Sequence, residues 1–334
     1  MPLVFTSPPF TTYESLLLTT SFALIYVGSL YVSKHGRLSF VAKVVPPQRD
    51  GEERRRHESE RWRDDPDVIR ARLIAVTFAS LVSCTMVFGA LWQAIGPEFC
   101  VGADANETIE VTLRTALVRL GFSLPAFTLD ALLPHLITPL LFLGPLYALY
   151  LDFSSPLSTT GSFKEVLLSW QGARNYVVAP ITEEIVFRAC VLAVYNLSGA
   201  SRAKMIMLAP LSFGVAHAHH AWDTFNRYGR TPAAAKRALL MTLFQLSYTT
   251  LFGSFASYLF LRTGSIWPPI TAHIFCNVMG IPQLGYEVSK FPQQKRFIYL
   301  AYVTGILGFV MKIVPWTKTP DSLYWQPRGP AVAY

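Results

Sequence analysis

The sequence predicts an all-α protein, a polytopic integral membrane bundle of about eight transmembrane helices. Three observations support this class. Of the 334 residues, 51% are apolar and 15% are charged, which is too little polarity for the surface of a soluble protein. The mean hydropathy is +0.34. Apolar stretches of about 20 residues, the length that crosses a bilayer, recur along the chain. We therefore expect residues 1–334 to form a single integral membrane domain.

Eight apolar stretches are candidates for the spanning helices. They are Tyr13 to Val32, Leu73 to Ile95, Ala131 to Leu151, Tyr176 to Leu197, Met205 to His220, Ala238 to Leu261, Ser265 to Ile281 and Phe297 to Val314. The fifth and seventh are short and polar, so a bundle of seven spans stays open. An amphipathic stripe ending at Trp170 suggests an interfacial or packing helix before the fourth span. The proline-punctuated tail, residues 315–334, is expected to be irregular.

Positive charge orients these spans. The loop of residues 33–72 carries eleven of the 29 lysines and arginines, so the positive-inside rule makes it a basic cytosolic loop. Counting spans from there puts the basic residues 221–237 and 282–296 on the same side. The sequons at Asn106 and Asn196 fall on the lumenal side. Because the charge has this topological explanation, we expect no nucleic-acid partner.

The fourth candidate span contains three ionisable residues, each of which costs at least ~2.5 kcal/mol to insert in a membrane. Glu184 and Arg188 are four residues apart, so their side chains can pair along one helical face and support the structure. Glu183 lies about 100° around the helix and has no cation at helical spacing. We therefore expect Glu183 to act as a general base.

Histidines end the fifth candidate span. His217 and His220 are neighbours at i,i+3, whereas His219 projects to another side, so the run is not typical of a metal cluster. His217 lies deeper and is the catalytic candidate. His219 and His220 are expected to be polar residues near the cytosolic interface.

The seventh candidate span places His273 and Asn277 on one face at i,i+4. An imidazole and a carboxamide side by side can donate two hydrogen bonds to one oxygen, which is the chemistry of an oxyanion hole. For Asn277 alone, an interhelical contact of the kind that stabilises membrane bundles is the favoured explanation. Cys276 is expected to be a small core residue rather than a nucleophile.

Depth brings these candidates together. At a rise of 1.5 Å per residue, Glu183, His217 and His273 all lie within roughly 5 to 12 Å of the cytosolic boundary of their helices. Three separate spans thus place ionisable side chains in one layer, which predicts a single intramembrane active site that faces the cytosol.

These residues, in this order and spacing, resemble the signature of the CAAX prenyl protease 2 family, the Ras-converting endopeptidases within the wider CPBP group of intramembrane proteins. The motifs are Glu183-Glu184-x-x-x-Arg188, Phe213-x-x-x-His217 and His273-x-x-x-Asn277, and the resemblance covers residues 176–280, the expected catalytic core. It implies a multi-pass endoplasmic-reticulum protease that removes the last three residues from prenylated CAAX-box proteins, such as Ras-type small GTPases, and needs no metal or other cofactor.

Carried onto this sequence, the resemblance implies that Glu183 and His217 activate the attacking water. His273 and Asn277 would stabilise the oxyanion, and Glu184 and Arg188 would support the site. The lipid bilayer and such substrates are the expected partners, and the sequence leaves the oligomeric state open.

Two alternatives stay open. The first is a zinc peptidase with Glu183, His217 and His273 as ligands and Glu184 as base. The second is a membrane protein that binds prenylated proteins without catalysis. The insertion cost of the polar residues argues against the second, since a binding protein has no need of them. A transporter is disfavoured because no inverted repeat is apparent.

Overall fold

The computed structural model describes residues 3, 5, 7–42, 52–99, 105–124, 128–154, 167–319 and 322–325, and regular structure in these ranges is helical. The all-α prediction is confirmed. In chain order the α-helices are α1 (Thr12–Val32), α2 (Pro66–Phe99), α3 (Ala105–Arg119), α4 (Leu129–Leu141), α5 (Leu143–Phe153), α6 (Trp170–Ala173), α7 (Ala179–Glu184), α8 (Val191–Leu197), α9 (Arg202–Met207), α10 (Pro210–Ala216), α11 (His220–Arg227), α12 (Pro232–Thr263), α13 (Trp267–Met279), α14 (Leu284–Lys290) and α15 (Lys295–Trp316).

Four of the described helices, α1, α2, α12 and α15, are long and apolar enough to cross a membrane. The pair α4 and α5 makes a fifth if it is counted as one span, although the two helices meet at a bend of 73°. Pro145 explains that break in part, because it has no N–H to continue the hydrogen bonds of the preceding turn. A membrane protein is therefore supported, whereas the eight predicted spans are not confirmed by helix length and composition.

The remaining predicted spans are interrupted or short. Helical residues run without a gap from 170 to 197, but two π-helical turns, Arg174–Val178 and Ile185–Cys190, flank α7. The predicted fifth span is broken between α9 and α10 and ends in the 3₁₀ turn His217–His219. With 13 residues, α13 is about 20 Å long, which is less than a hydrocarbon core of about 30 Å.

The helical run from 170 to 197 lies at the centre of the molecule. Every residue from 186 to 194 is buried. Helices α1 and α2 pack against this stretch on one side and α12 on another. Large apolar side chains on the outer faces of α2, α12 and α15 are exposed, as expected for surfaces that face lipid. The central run therefore carries its ionisable residues in the interior of the protein.

Helices α12 and α13 reach the site from a tight turn. The Thr231 side chain accepts a hydrogen bond from the Ala234 amide and caps the start of α12, with Pro232 in the first turn. The helix ends at Gly264, whose φ of 65° is a conformation that glycine adopts without strain. The chain then reverses into α13, so that Gly253 and His273 both come close to the central run.

The structure adds contacts to the sequence expectations for the amphipathic stripe, the tail and the sequons. Phe163 and Val166, half of the predicted amphipathic stripe, lie outside the described residues, while Trp170 begins α6 and packs under the Arg70 guanidinium at 4.6 Å. In the predicted irregular tail, Tyr324 is buried and donates a hydrogen bond to the Arg119 carbonyl. Asn196 is also buried, and its Oδ1 accepts a hydrogen bond from Arg119. A buried, bonded Asn196 is unsuited to carry a glycan.

Part of the predicted basic cytosolic loop is folded. We call residues 52–65 the strap. Within it, Arg54 and Glu60 form a buried bidentate ion pair with distances of 2.7 and 2.9 Å. Arg54 also donates to the carbonyl of Asn226 at 2.9 Å, and Ser39 forms a β-bridge with Arg61. The strap is thus attached to α11, which follows the histidine run.

Candidate active site

The centre of the site is a chain of three charged or polar side chains from two helices. The Nδ1 atom of His273 lies 2.7 Å from Oε1 of Glu184, and Nε of Arg188 lies 3.1 Å from Oε2 of the same carboxylate. Glu184 has no exposed surface and the Arg188 side chain is 1% exposed. Because a carboxylate paired with Arg188 accepts hydrogen bonds, the proton of this hydrogen bond is assigned to His273 Nδ1. The ring is thereby held in one orientation.

Glu183 lies on the other side of the same imidazole. Its Oε2 atom is 3.7 Å from His273 Nε2, which is beyond direct hydrogen-bond distance and leaves room for a shared reacting group. The Glu183 side chain is 16% exposed, in contrast to the sealed Glu184. Of the two neighbouring glutamates, Glu183 is therefore the one that a water molecule or a substrate can reach.

Aromatic rings enclose the buried cation. The Arg188 guanidinium lies 4.2 Å from the ring centre of Phe213 and 5.6 Å from that of Phe252. Both rings also contact His273, at centroid distances of 6.2 and 4.8 Å. Gly253 on α12 allows this packing, because a Cβ there would lie 3.2 Å from Arg188 Nη2. These rings replace water around the ion pair.

His217 joins the site through Phe213. The two rings meet edge to face at 4.7 Å, and His217 Nδ1 lies 2.8 Å from the Phe213 carbonyl oxygen. A carbonyl oxygen only accepts, so Nδ1 carries the proton and Nε2 holds the lone pair when the ring is neutral. The 3₁₀ turn that begins at His217 ends the α-helical run there. His217 is half-buried and offers a basic nitrogen.

Asn277 is exposed and lies one turn beyond His273 on α13. Its Nδ2 donates to the Asn175 carbonyl at 2.8 Å. Asn175 belongs to the first π-helical turn, where the altered spacing frees carbonyl groups from the α-helical pattern. His273 and Asn277 therefore lie on neighbouring turns, as the sequence predicts, but each is bound to a different partner in this structure.

The strap connects two walls of the site, which are the helical run from 170 to 197 and α11. Arg174, next to Asn175, donates to the Arg63 carbonyl at 3.1 Å and to Asp64 Oδ1 at 3.0 Å. On the opposite wall, Arg227 of α11 lies 3.5 Å from the other oxygen of Asp64. Burial alone raises the pKa of Asp64, but the positive charges of Arg63, Arg174 and Arg227 outweigh it and lower the pKa overall. Asp64 therefore remains charged and holds both walls.

The arrangement suits hydrolysis. The accessible Glu183 carboxylate lies beside the oriented His273 imidazole, and His217 is joined to His273 through the Phe213 ring, so groups suited to general acid–base chemistry are brought together. Among the described residues, no three histidine, cysteine, aspartate or glutamate side chains are grouped closely enough to hold a metal ion. The candidate ligand set Glu183, His217 and His273 is thus not assembled as a metal centre in this structure.

Comparisons with known proteins identify the family of this chain. The family model described as Type II CAAX prenyl endopeptidase Rce1-like matches residues 165–279. Probable CAAX prenyl protease 2 of Schizosaccharomyces pombe is 34% identical over 249 residues, which cover 75% of this chain and 81% of that protein. CAAX prenyl protease 2 of Homo sapiens is 33% identical over 315 residues, covering 91% and 82%. The chain belongs to the CAAX prenyl protease 2 family.

A third relative, CAAX prenyl protease 2 of Arabidopsis thaliana, is 40% identical over 145 residues, 43% of this chain and 44% of that protein. No solved structure matches the chain significantly. The region matched by the family model contains Glu183, Glu184, Arg188, His217, His273 and Asn277. The strap, residues 52–65, lies outside the region that the family model matches.

Several contacts of this family member are not evident from its motifs. The hydrogen bond between Glu184 and His273 joins positions 89 residues apart. Asn175 and Phe252 have no spacing that marks them, because both act through tertiary packing. The strap did carry a signal, since Glu60 and Asp64 lie among its arginines and alternating charges predict internal ion pairs.

Proposed function

We propose that this chain is an intramembrane endopeptidase that removes the C-terminal tripeptide from prenylated CAAX-box proteins. The observation that carries the proposal is the placement of Glu183 and Glu184 on two sides of the His273 ring, at 3.7 and 2.7 Å. The shared names of the relatives support the substrate class. The proposal includes about eight spans, residence in the endoplasmic reticulum and a site open to the cytosol.

Glu183 and His217 activate the attacking water in this mechanism. Glu183 is the accessible carboxylate and takes the proton as water attacks the scissile carbonyl. His217 has its Nδ1–H fixed on the Phe213 carbonyl, so its Nε2 can accept a hydrogen bond from the same water. The proton then passes to the leaving amine, which departs as the new N-terminus of the tripeptide.

His273 and Asn277 stabilise the oxyanion. To serve this role the His273 ring donates from both nitrogens, through Nδ1–H to Glu184 and through Nε2–H to the oxyanion. His273 Nε2–H then points toward the space beside Glu183. Asn277 supplies a second donor when its amide leaves the Asn175 carbonyl for the substrate.

The substrate's lipid explains why the site belongs in a membrane. A farnesyl or geranylgeranyl chain is held by the bilayer, so the attached peptide needs to enter only by its polar end. Prenylated small GTPases of the Ras type have such a terminus. Burial of the prenyl chain contributes binding energy, while the polar groups of the site perform the cleavage.

The decisive experiment measures release of the tripeptide from a farnesylated CAAX peptide by the purified protein. We expect cleavage that persists in a strong chelator and is lost, by at least about 100-fold, in Glu183→Gln and in His217→Asn. Glu110→Gln and His35→Gln change the same residue types at exposed positions and should cleave normally.

Two other results would redirect the assignment. Loss of cleavage with chelator and recovery with zinc would identify a metallopeptidase. Binding of the farnesylated peptide without turnover by folded wild-type protein would identify a prenyl-binding protein. In either case the glutamate mechanism would be refuted.

A further inference from the structure

Buried polar atoms without a hydrogen-bond partner are concentrated beside the site. Five of those found among the described residues belong to the strap, to the start of α2 and to the histidine run with α11. They are Nε of Arg63, Nη2 of Arg72, Nε2 of His219, Oδ1 of Asp223 and Nε of Arg227. Buried polar groups in native proteins are nearly always bonded, so such a concentration indicates a place for a polar ligand. Three of the five atoms are guanidinium nitrogens, which only donate, and this favours an acceptor ligand.

Arg63 and Arg72 lie between the two walls of the site. The carbonyl of Arg63 is bonded to Arg174, whose neighbour Asn175 is bonded to Asn277. The side chains of Arg63 and Arg72 interact electrostatically with His219 and with Asp223 on the opposite wall. The two guanidinium groups therefore lie near His219 and Asp223, beside the residues that hold Asn277.

The arginines outnumber the carboxylates that could neutralise them. The ion-pair partner of Arg63 among the described residues is Asp64, with 3.7 Å between Nε and Oδ1. Asp64 also serves Arg174 at 3.0 Å and Arg227 at 3.5 Å, and Arg227 has further partners in Glu53 at 2.7 Å and Asp223 at 3.6 Å. Arg72 is 7% exposed and uses its Nε on the Gly36 carbonyl, not on a carboxylate. Four arginines thus share three carboxylates, which leaves excess positive charge beside the site.

We propose that Arg63 and Arg72 bind the free terminal carboxylate of the peptide substrate. This inference rests on the proposed function, since it names the group by which that substrate is recognised. A carboxylate accepts paired N–H groups from a guanidinium, and an oxygen of the ligand would satisfy the orphan nitrogens of both arginines. Asp223, on the far side, repels an anion placed too deeply and helps to position it.

The anchor predicts a fixed length for the released peptide. Three extended residues span about 10 Å, so a base about that far from the carboxylate site cuts three residues from the end. Glu183 and Arg63 both interact electrostatically with the Tyr248 side chain of α12, so both groups lie near the same phenol ring. In this proposal the strap holds the terminal carboxylate in a fixed position, and Glu183 of α7 acts at the peptide bond three residues away.

The test compares a farnesylated CAAX peptide bearing a free carboxylate with the same peptide as its C-terminal amide. Wild-type protein should cleave the acid with a KM about 10- to 100-fold lower than the amide, the factor expected for a charge-assisted hydrogen bond. Arg63→Gln should raise KM for the acid by a similar factor and leave the amide unchanged. Arg63→Lys, which keeps the charge but not the paired N–H groups, should fall between them.

Arg55→Gln is the matched control, because Arg55 is an exposed arginine of the same strap. It should retain the wild-type preference for the acid. Binding is measured in parallel on Glu183→Gln with fluorescent forms of both peptides, so that the preference can be read without cleavage. Comparable binding of acid and amide would overturn the anchor even if the protein proves to be a protease.

The two proposals fail separately. If wild-type protein cleaves neither peptide but Glu183→Gln still binds the acid more tightly in an Arg63-dependent manner, the anchor stands and the catalytic assignment falls. If Arg55→Gln and Arg63→Gln weaken acid binding equally, the effect is general charge rather than a carboxylate site, and the anchor is refuted.

Discussion

Replacement of Glu184 by glutamine isolates the contribution of the buried ion pair. The carboxylate lies 2.7 Å from His273 Nδ1 and 3.1 Å from Arg188 Nε, and neither Glu184 nor Arg188 is more than 1% exposed. Glu184→Gln keeps the shape but leaves the Arg188 charge without its nearest counter-charge. Breaking one side of a buried pair costs about 3–5 kcal/mol. At roughly 2–4 °C per kcal/mol for a chain of this size, we expect a fall in Tm of about 6–20 °C.

A second variant separates stability from function. In Glu184→Gln combined with Arg188→Met, both buried charges are gone, so most of the lost stability should return. Cleavage should not return, because His273 still lacks the carboxylate that orients its ring. Asp67→Asn, which breaks the exposed pair of Asp67 and Arg70, serves as control and should cost about 1 kcal/mol or less.

The assay is thermal unfolding in detergent micelles together with tripeptide release from a farnesylated peptide. A single variant whose Tm stays within about 2 °C of wild type would refute the assignment of a paired buried charge. Full cleavage by the double variant would refute the positioning of His273 by Glu184.

Two further predictions concern packing and pH. Gly253→Ala places a Cβ 2.8 Å from Pro210 Cβ and 3.2 Å from Arg188 Nη2, so it should lower the free energy of unfolding by about 1–3 kcal/mol. Gly89→Ala is the control, because there is open space around Gly89, and it should not lower stability. Equal Tm values for the two variants would contradict the close approach at Gly253. Burial raises the pKa of Glu60, but hydrogen bonds from Arg54, Val41, His57 and Trp62 outweigh it and lower the pKa to about 2. A lowered pKa stabilises the folded form above the ordinary value of 4.5, so the strap should stay protected from pepsin at pH 5 and become cleavable as the pH falls toward 2. Glu60→Gln should already be cleaved at pH 5, exposed Glu58→Gln should not, and uniform protection in all three proteins would contradict this account.

The sequence predicts the local half of this site well. Glu184 and Arg188 pair as their i,i+4 spacing requires, since that contact lies within one helical run. The membrane class and the family also follow from composition and from three motifs. The contact of Glu184 with His273 does not follow, because it depends on how two helices pack rather than on spacing along either one.

The span count shows where hydropathy is insufficient. Apolar content alone predicted one span over residues 205–220. In the structure a new helix begins at Pro210, and it ends where the 3₁₀ turn begins at His217. Those interruptions place polar side chains where a regular helix would not. In the basic loop, the number of arginines was used to predict topology only. The acidic residues between them, which form the ion pairs that fold the strap, were not considered.

The strap also has a consequence for the order in which the protein matures. Arg54 is bonded to the carbonyl of Asn226, 172 positions later, and Glu53 pairs with Arg227, 174 positions later. At synthesis rates of about 5–20 residues per second, the strap is complete roughly 10 to 35 s before the segment that anchors it exists. The contact between the strap and α11 is therefore formed late, and a nascent chain that stops before α11 has Arg54 without its Asn226 acceptor and Glu53 without Arg227.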